Sequence, residues 1–226
     1  MRIIVSGYRR SGTSAMMKAL VTGLTIPGIT LAYDPFSMDG DHGNMECDGY
    51  KPNPSPLYET RGAWRTPAFL RNLPDNVLIK IFFDGLTILP SGDYAVIFMQ
   101  RDPAEIALSL EMVDKHFKRV GFTERQPPSE KLPFDCYRPY KQADIDHVLG
   151  IVEQRRDINL IRVNHKDLIE RPIEVFQAIR GSGIDLDVDK CASVIDAKHY
   201  RARKHESVSR CQNLPPDSES PARKSA

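Results

Sequence analysis

The chain has 226 residues, 41% of them hydrophobic, and a formal net charge of +1. That is enough apolar material for a sizeable core, and one domain is the simplest expectation. The near-neutral balance excludes the global basic field that would draw nucleic acid or an anionic membrane, so any anion binding has to be local. Cys47, Cys136, Cys191 and Cys211 stand singly, without the CxxC pairing of a zinc site or the density of a disulfide framework. A reduced, cytoplasmic setting is expected. No apolar run approaches the ~20 residues that cross a bilayer, and the amino terminus reads as a strand instead of a signal peptide, so a soluble protein without a membrane anchor is expected.

In chain order, Arg2–Ser6 is a short apolar run ending in glycine, and from Ser14 onward Met16, Met17, Leu20, Val21 and Leu24 recur at helical spacing. Three further apolar runs, Val77–Phe83, Tyr94–Gln100 and Ile158–Val163, read as strands buried on both faces. Helical patterns follow at Pro103–Phe117, Ala143–Arg156 and Pro172–Arg180. Strand and helix in alternation predict an α/β fold of three layers: a central parallel sheet flanked by helices, spanning residues 1–211 as one domain. Two long segments rich in Gly, Pro and charge, 34–58 and 118–140, break the alternation and are expected to be loops near the active site. The polar stretch 212–226 is expected to be a tail that need not fold.

The segment between first strand and first helix, Gly7-Tyr8-Arg9-Arg10-Ser11-Gly12-Thr13-Ser14, has the outline of a phosphate-gripping loop. Gly7 and Gly12 bracket four residues, so backbone N–H groups and the positive end of a helix dipole converge on one spot. An ATP-binding loop would carry lysine after the second glycine, to neutralise the β and γ phosphates, with a hydroxyl next to hold magnesium. Here Thr13 stands in the lysine position; the hydroxyls remain and the charge comes from Arg9 and Arg10. The alternative is a plain turn capped by Ser11 or Thr13.

SGYRRSGTSAMMKAL resembles the 5′-phosphosulfate loop of the P-loop sulfotransferases, which use 3′-phosphoadenosine 5′-phosphosulfate (PAPS) as donor and release 3′-phosphoadenosine 5′-phosphate (PAP). A phosphosulfate carries less charge than a magnesium triphosphate and does not require that lysine. A second match stands in family order: in MQRDPAEIALSLEM, Arg101 follows a central strand and Ser109 lies eight residues on, the positions that the family uses for the nucleotide's 3′-phosphate. An Arg–Asp turn with Asp102 capping the helix would explain Asp102 and Pro103 but not Arg101 and Ser109. IRVNHKDLIERPIEVFQAI is a looser match, departing at His165-Lys166 where Tyr-Glu is more usual.

The resemblance implies nucleotide contacts from Tyr8, Arg9, Arg10, Ser11, Gly12, Thr13, Ser14, Arg101 and Ser109, and from Arg201 and Arg203 in the late basic run Lys198–His205. It implies a general base at Glu59, in NPSPLYETRGAW, with Lys80 and Arg10 as the catalytic cations. The histidine that serves small-molecule members as base, two residues after the strand lysine, is replaced here by Phe82; His42 and His116 are the alternatives to Glu59. The remaining histidines, including His165, read as surface or packing residues. No metal is expected. Lys80 interrupts an apolar strand, so its ammonium either reaches the ligand crevice or snorkels from a sheet edge. The expected reaction moves a sulfuryl group from PAPS to a hydroxyl or amine of an unidentified acceptor. The competing readings are a P-loop nucleotide or small-molecule kinase with a degenerate loop, for which Asp84 is the nearest candidate acidic strand end, and a relative that binds nucleotide without catalysis.

Overall fold

The computed structural model describes residues 1–32, 67–119 and 141–197. Five parallel strands form one sheet in the order β2-β3-β1-β4-β5: β1 Arg2–Gly7, β2 Thr30–Ala32, β3 Val77–Lys80, β4 Tyr94–Gln100 and β5 Ile158–Asn164. The first strand sits in the middle. Its register pairs Val5 with Lys80 on one side and with Ile97 on the other. Because the chain leaves the centre for one edge and later crosses to the opposite side, β1 and β4 bound a topological switch point, and a crevice opens at their carboxyl ends.

Alternation along the strands divides the interior into two cores. Ile3, Val5, Leu78, Ile97 and Met99 face α1 (Thr13–Gly23), α6 (Pro172–Gly181) and α7 (Val188–Ser193), meeting Met16, Leu20, Phe176, Ile179 and Cys191. Ile4, Val77, Ile79, Val96 and Phe98 face the other way, against α2 (Pro67–Arg71), a 3-10 helix over Phe83–Ile88, α3 (Pro103–Arg119) and α4 (Gln142–Glu153). Helix α5, His165–Glu170, follows β5 directly. This is the three-layer α/β arrangement that the alternating pattern predicts. Among the described residues no helix is long and apolar enough to cross a membrane.

Element limits differ from the sequence reading in instructive places. β3 ends at Lys80, three residues before the apolar run does: Ile81 N–H still donates to the Val5 carbonyl at 3.0 Å, and the chain then turns into the 3-10 helix. β2 is described over Thr30–Ala32, where this stretch of described residues ends. β5 lies at the sheet edge and is half exposed, unlike the strand covered on both faces that its apolar run suggests. Segments 34–58 and 120–140, the tail, and Glu59, His42, Arg201 and Arg203 lie outside the described residues. His116 falls within α3, but its side chain is likewise outside them.

An ion pair helps to tie the end of the sheet away from the crevice. Arg155 grips Asp157 through Nε at 3.0 Å and through its terminal nitrogen at 2.6 Å, and it also donates to the Leu89 and Pro90 carbonyls at 2.7 and 2.8 Å. Gly92 N–H donates to the same carboxylate at 2.9 Å. These bonds fasten the turn before β4 to the turn before β5, and they hold the Asp157 carboxyl well below the usual range, the Arg155 side-chain bond contributing most. A depressed carboxyl stabilises the fold above its unfolded value, near 4, and that contribution disappears as pH falls further. Asp157→Asn is expected to lower the melting temperature by about 3 °C at pH 7. The difference from wild type should shrink as pH drops from 4 towards 2, which thermal melts across that range will check.

Candidate functional site

Four strand ends meet at the crevice, and each delivers a side chain that the site uses. From β1 comes the phosphate loop. Gly7 has φ 147°, and a Cβ there would stand 2.6 Å from the Met99 carbonyl oxygen on β4, so the loop can leave the sheet this closely only without a side chain. Arg10 has φ 66°, the one non-glycine with positive φ among the described residues, and Gly12, at φ 99°, is the N-cap of α1. Left-handed backbone outside glycine costs energy and marks a place where the surroundings dictate the conformation.

The plain-turn reading required Ser11 or Thr13 to cap the helix. Neither does: the Ser11 hydroxyl donates to the Tyr8 carbonyl at 2.6 Å, and no side chain caps α1. Ser11 and Thr13 are both buried. The N–H groups of the first turn are left facing the crevice end of the sheet, where the helix dipole favours an anion.

Lys80, at the end of β3, is 4% exposed and lies on an interior strand, which removes the sheet-edge alternative. It shares the face of Leu78, towards α1, and its Nζ donates to Ser14 Oγ at 3.4 Å. Phe82, in the position where a histidine was sought, lies 5.6 Å under the Lys80 ammonium and 5.1 Å under the Arg9 guanidinium. Those distances suit cation–π attraction. The next residue, Phe83, meets the Tyr8 ring at 5.8 Å, so the aromatic pair after β3 supports two loop side chains.

From β4 comes Arg101, whose side chain is 8% exposed. It donates to the Arg10 carbonyl at 2.8 Å and pairs with Glu105 at 3.1 Å. Arg10 in turn donates through Nε to Ser109 Oγ at 3.0 Å. Arg10, Arg101 and Ser109, distant in sequence, therefore form one continuous cluster, with Ser109 buried on the second turn of α3. Asp102 does cap that helix, accepting from Ala104 N–H at 2.7 Å, so the capping role and the cluster coexist. The Arg10 guanidinium is drawn to Ser109, which leaves Lys80 as the cation that reaches Ser14 at the start of α1.

His165 opens α5, directly after β5. It is 7% exposed, and a Cβ on Gly12 would stand only 2.4 Å from its Cδ2: the ring packs against the turning residue of the loop. The expectation of a surface or packing histidine leaves this placement open. Burial, then the Arg101 and Arg10 charges, push its pKa down to about 3, so the imidazole is neutral. Position was the available signal, since a polar residue just past a parallel strand faces the crevice.

Beside this cluster a cavity of about 390 Å³ opens at the carboxyl end of β4. Tyr8, Phe98, Ile106 and Ile145 give it an apolar wall, and Gln100, Arg101, Gln142 and Asn164 a polar one. Among the described residues no group of three or more His, Cys, Asp or Glu could hold a metal ion. Asp84, the acidic candidate of the kinase reading, lies exposed in the 3-10 helix, beyond the end of β3.

No protein-family model matches the chain, and no curated protein does. Solved structures do. A mouse sulfotransferase, SULT7A1, complexed with PAP aligns at 17% identity with a TM-score of 0.43, covering 88% of this chain and 63% of that one. Retinol dehydratase in complex with androsterone and PAP aligns at 17% identity and TM-score 0.42, over 88% and 64%. A sugar kinase from Janibacter sp. HTCC2649 aligns at 10% identity and TM-score 0.33, over 86% and 98%. The chain spans less than two thirds of the length of the first two.

Proposed function

We propose that the chain is a sulfotransferase that moves a sulfuryl group from PAPS to a hydroxyl or amine acceptor. The observation that carries this reading is the Arg10–Arg101–Ser109 cluster. The two residues whose spacing resembles a 3′-phosphate motif stand within hydrogen-bond reach of the phosphate loop, linked by Arg10 at 3.0 and 2.8 Å. A ligand with phosphates at both ends of a nucleoside suits two anion sites of this kind better than a triphosphate does.

In this reading the first turn of α1, with Thr13 and Ser14, receives the 5′-phosphosulfate, while Arg101, Ser109 and Arg10 receive the 3′-phosphate. The donor supplies an activated sulfur: the S–O bond to the nucleotide's phosphate breaks as a bond from sulfur to the acceptor oxygen or nitrogen forms. Lys80, buried and directed at Ser14, steadies the charge that gathers on the departing phosphate oxygen. Such preorganised charge in a dry crevice provides most of the acceleration in phosphoryl transfer, and the same is expected here. The acceptor's proton passes to a base, for which Glu59 is proposed, with His42 and His116 as alternatives.

Arg101→Ala tests the 3′-phosphate assignment. Loss of a charged hydrogen-bond partner is worth on the order of 10- to 100-fold in affinity. PAP binding is therefore expected to weaken by that factor, whereas adenosine 5′-phosphosulfate, which lacks the 3′-phosphate, binds the variant and the wild type alike. Equal loss for both ligands would mean that Arg101 serves only to hold the Arg10 carbonyl.

A further inference from the structure

His165 has a place in the site that none of the roles above employs. Its ring rests on Gly12, the residue that turns the loop into α1, and it is almost fully buried. The charges that face it come from two other elements: Arg10 in the loop, and Arg101 at the end of β4 with Glu105 of α3 behind it. Its own helix contributes Lys166 and Asp167 next in sequence, and Asp167 is engaged by Arg171 at 2.7 Å. An imidazolium packed into this position would meet two guanidiniums with little water to screen them, so the ring stays neutral while the site is empty.

A phosphate group changes the sign of that field. It brings a charge of roughly −1.5 to −2 at neutral pH and offsets both arginines at once. With Glu105 counted beside Arg101, the phosphate turns a local balance of about +1 into about −1, which favours the protonated ring and opposes the burial that is the larger cause of its low proton affinity. We propose that His165 is a proton-linked anion ligand of this site: its ring, packed against Gly12, takes a proton from solvent when a phosphate group settles on the loop and returns it when the site empties. The inference rests on the loop being an anion site, as proposed above, but not on the anion being a nucleotide.

The linkage has a definite sign. A group whose proton affinity is lower in the empty site than in the filled one makes binding tighter as pH falls, by up to about tenfold per pH unit for one proton. His165→Phe keeps a flat ring against Gly12 and removes the titration. The experiment is calorimetric titration of wild type and H165F with PAP and, separately, with inorganic pyrophosphate, between pH 7.5 and 5 in buffers of differing ionisation enthalpy. Each anion loses charge of its own over this range, and the variant displays that effect alone.

The ratio of wild-type to variant affinity is expected to grow severalfold or more per pH unit below 7, with wild type taking up as much as one proton more. A constant ratio across the range, or wild type binding neither anion, would overturn the proposal. Growth of the ratio with pyrophosphate in a protein that ignores PAP would keep the role of His165 and remove the nucleotide reading. If H165F does not fold, NMR titration of the His165 ring in wild type decides: the proposal requires saturating pyrophosphate to raise its pKa to about 6 or higher, and a lower value overturns it.

Discussion

Gly12→Ala is expected to abolish anion binding and to destabilise the fold by about 3 kcal/mol, the sum of a strained backbone and an overpacked contact. At φ 99° an alanine is strained wherever it sits. Its Cβ would also penetrate the His165 ring, 2.4 Å from Cδ2 and 3.2 Å from Nε2, and that ring is buried and has little room to retreat. The loop would have to lift away from β5, carrying the first turn of α1 out of line with Arg101 and Lys80. Gly28→Ala provides the control, because Gly28 also has positive φ, at 68°, yet nothing lies within 4 Å of its missing Cβ. Urea denaturation of both variants, with PAP titration of each, separates the backbone cost from the ring contact. Equal destabilisation of the two would show that the His165 contact yields easily.

Lys80→Met is expected to reduce turnover of PAPS by about 10²- to 10³-fold, the usual cost of removing a preorganised charge from a transition state. Stability should be unchanged or higher. The Lys80 side chain is buried in an apolar strand, and replacing an interior charge by a hydrophobic group of similar length removes its desolvation cost. PAP binding should weaken far less than turnover, since the 3′-phosphate cluster is untouched. Opposite movements of rate and stability are the signature of a residue kept for chemistry. A stable K80M protein with undiminished turnover would assign Lys80 to the loop's packing alone, through Ser14 and Phe82.

Much of this architecture is legible in the sequence because strong local patterns and the global fold agree. The apolar runs at Tyr94–Gln100 and after Met1, the Pro-started helices at 103 and 172, and the Gly-flanked loop all appear where their residue chemistry places them. What escaped was set by tertiary context. β2 is recognised by its pairing with β3, Thr30 to Val77 through Ala32 to Ile79, a long-range contact that local pattern does not announce. The apolar run through Phe83 overstates β3, because Phe82 and Phe83 are apolar for a different reason: they pack under Arg9 and Tyr8.

The site divides in the same way. Its loop and Lys80 could be nominated from the glycine spacing and from the cost of a charge in an apolar strand, and Arg101 and Ser109 from the resemblance to the sulfotransferase motif. The link from Arg10 to Ser109, which ties the loop to α3, depends on a left-handed backbone at Arg10 that the residue type does not announce. His165 follows an apolar run and precedes a lysine, so it reads as a surface or packing histidine, and only the place of β5 beside β4 sets its ring on Gly12.

The central claim is that this crevice holds a 3′-phosphorylated nucleotide without metal. Calorimetric titration of the wild-type protein with PAP in the presence of a chelator, beside ADP and magnesium ATP, tests it most directly. The account predicts saturable PAP binding at one site per chain, at least tenfold tighter than either ADP or magnesium ATP, the difference that a single charged 3′-phosphate contact supplies. Preference for magnesium ATP would contradict it and favour a kinase, and binding of none of the three would reduce the loop to a structural turn.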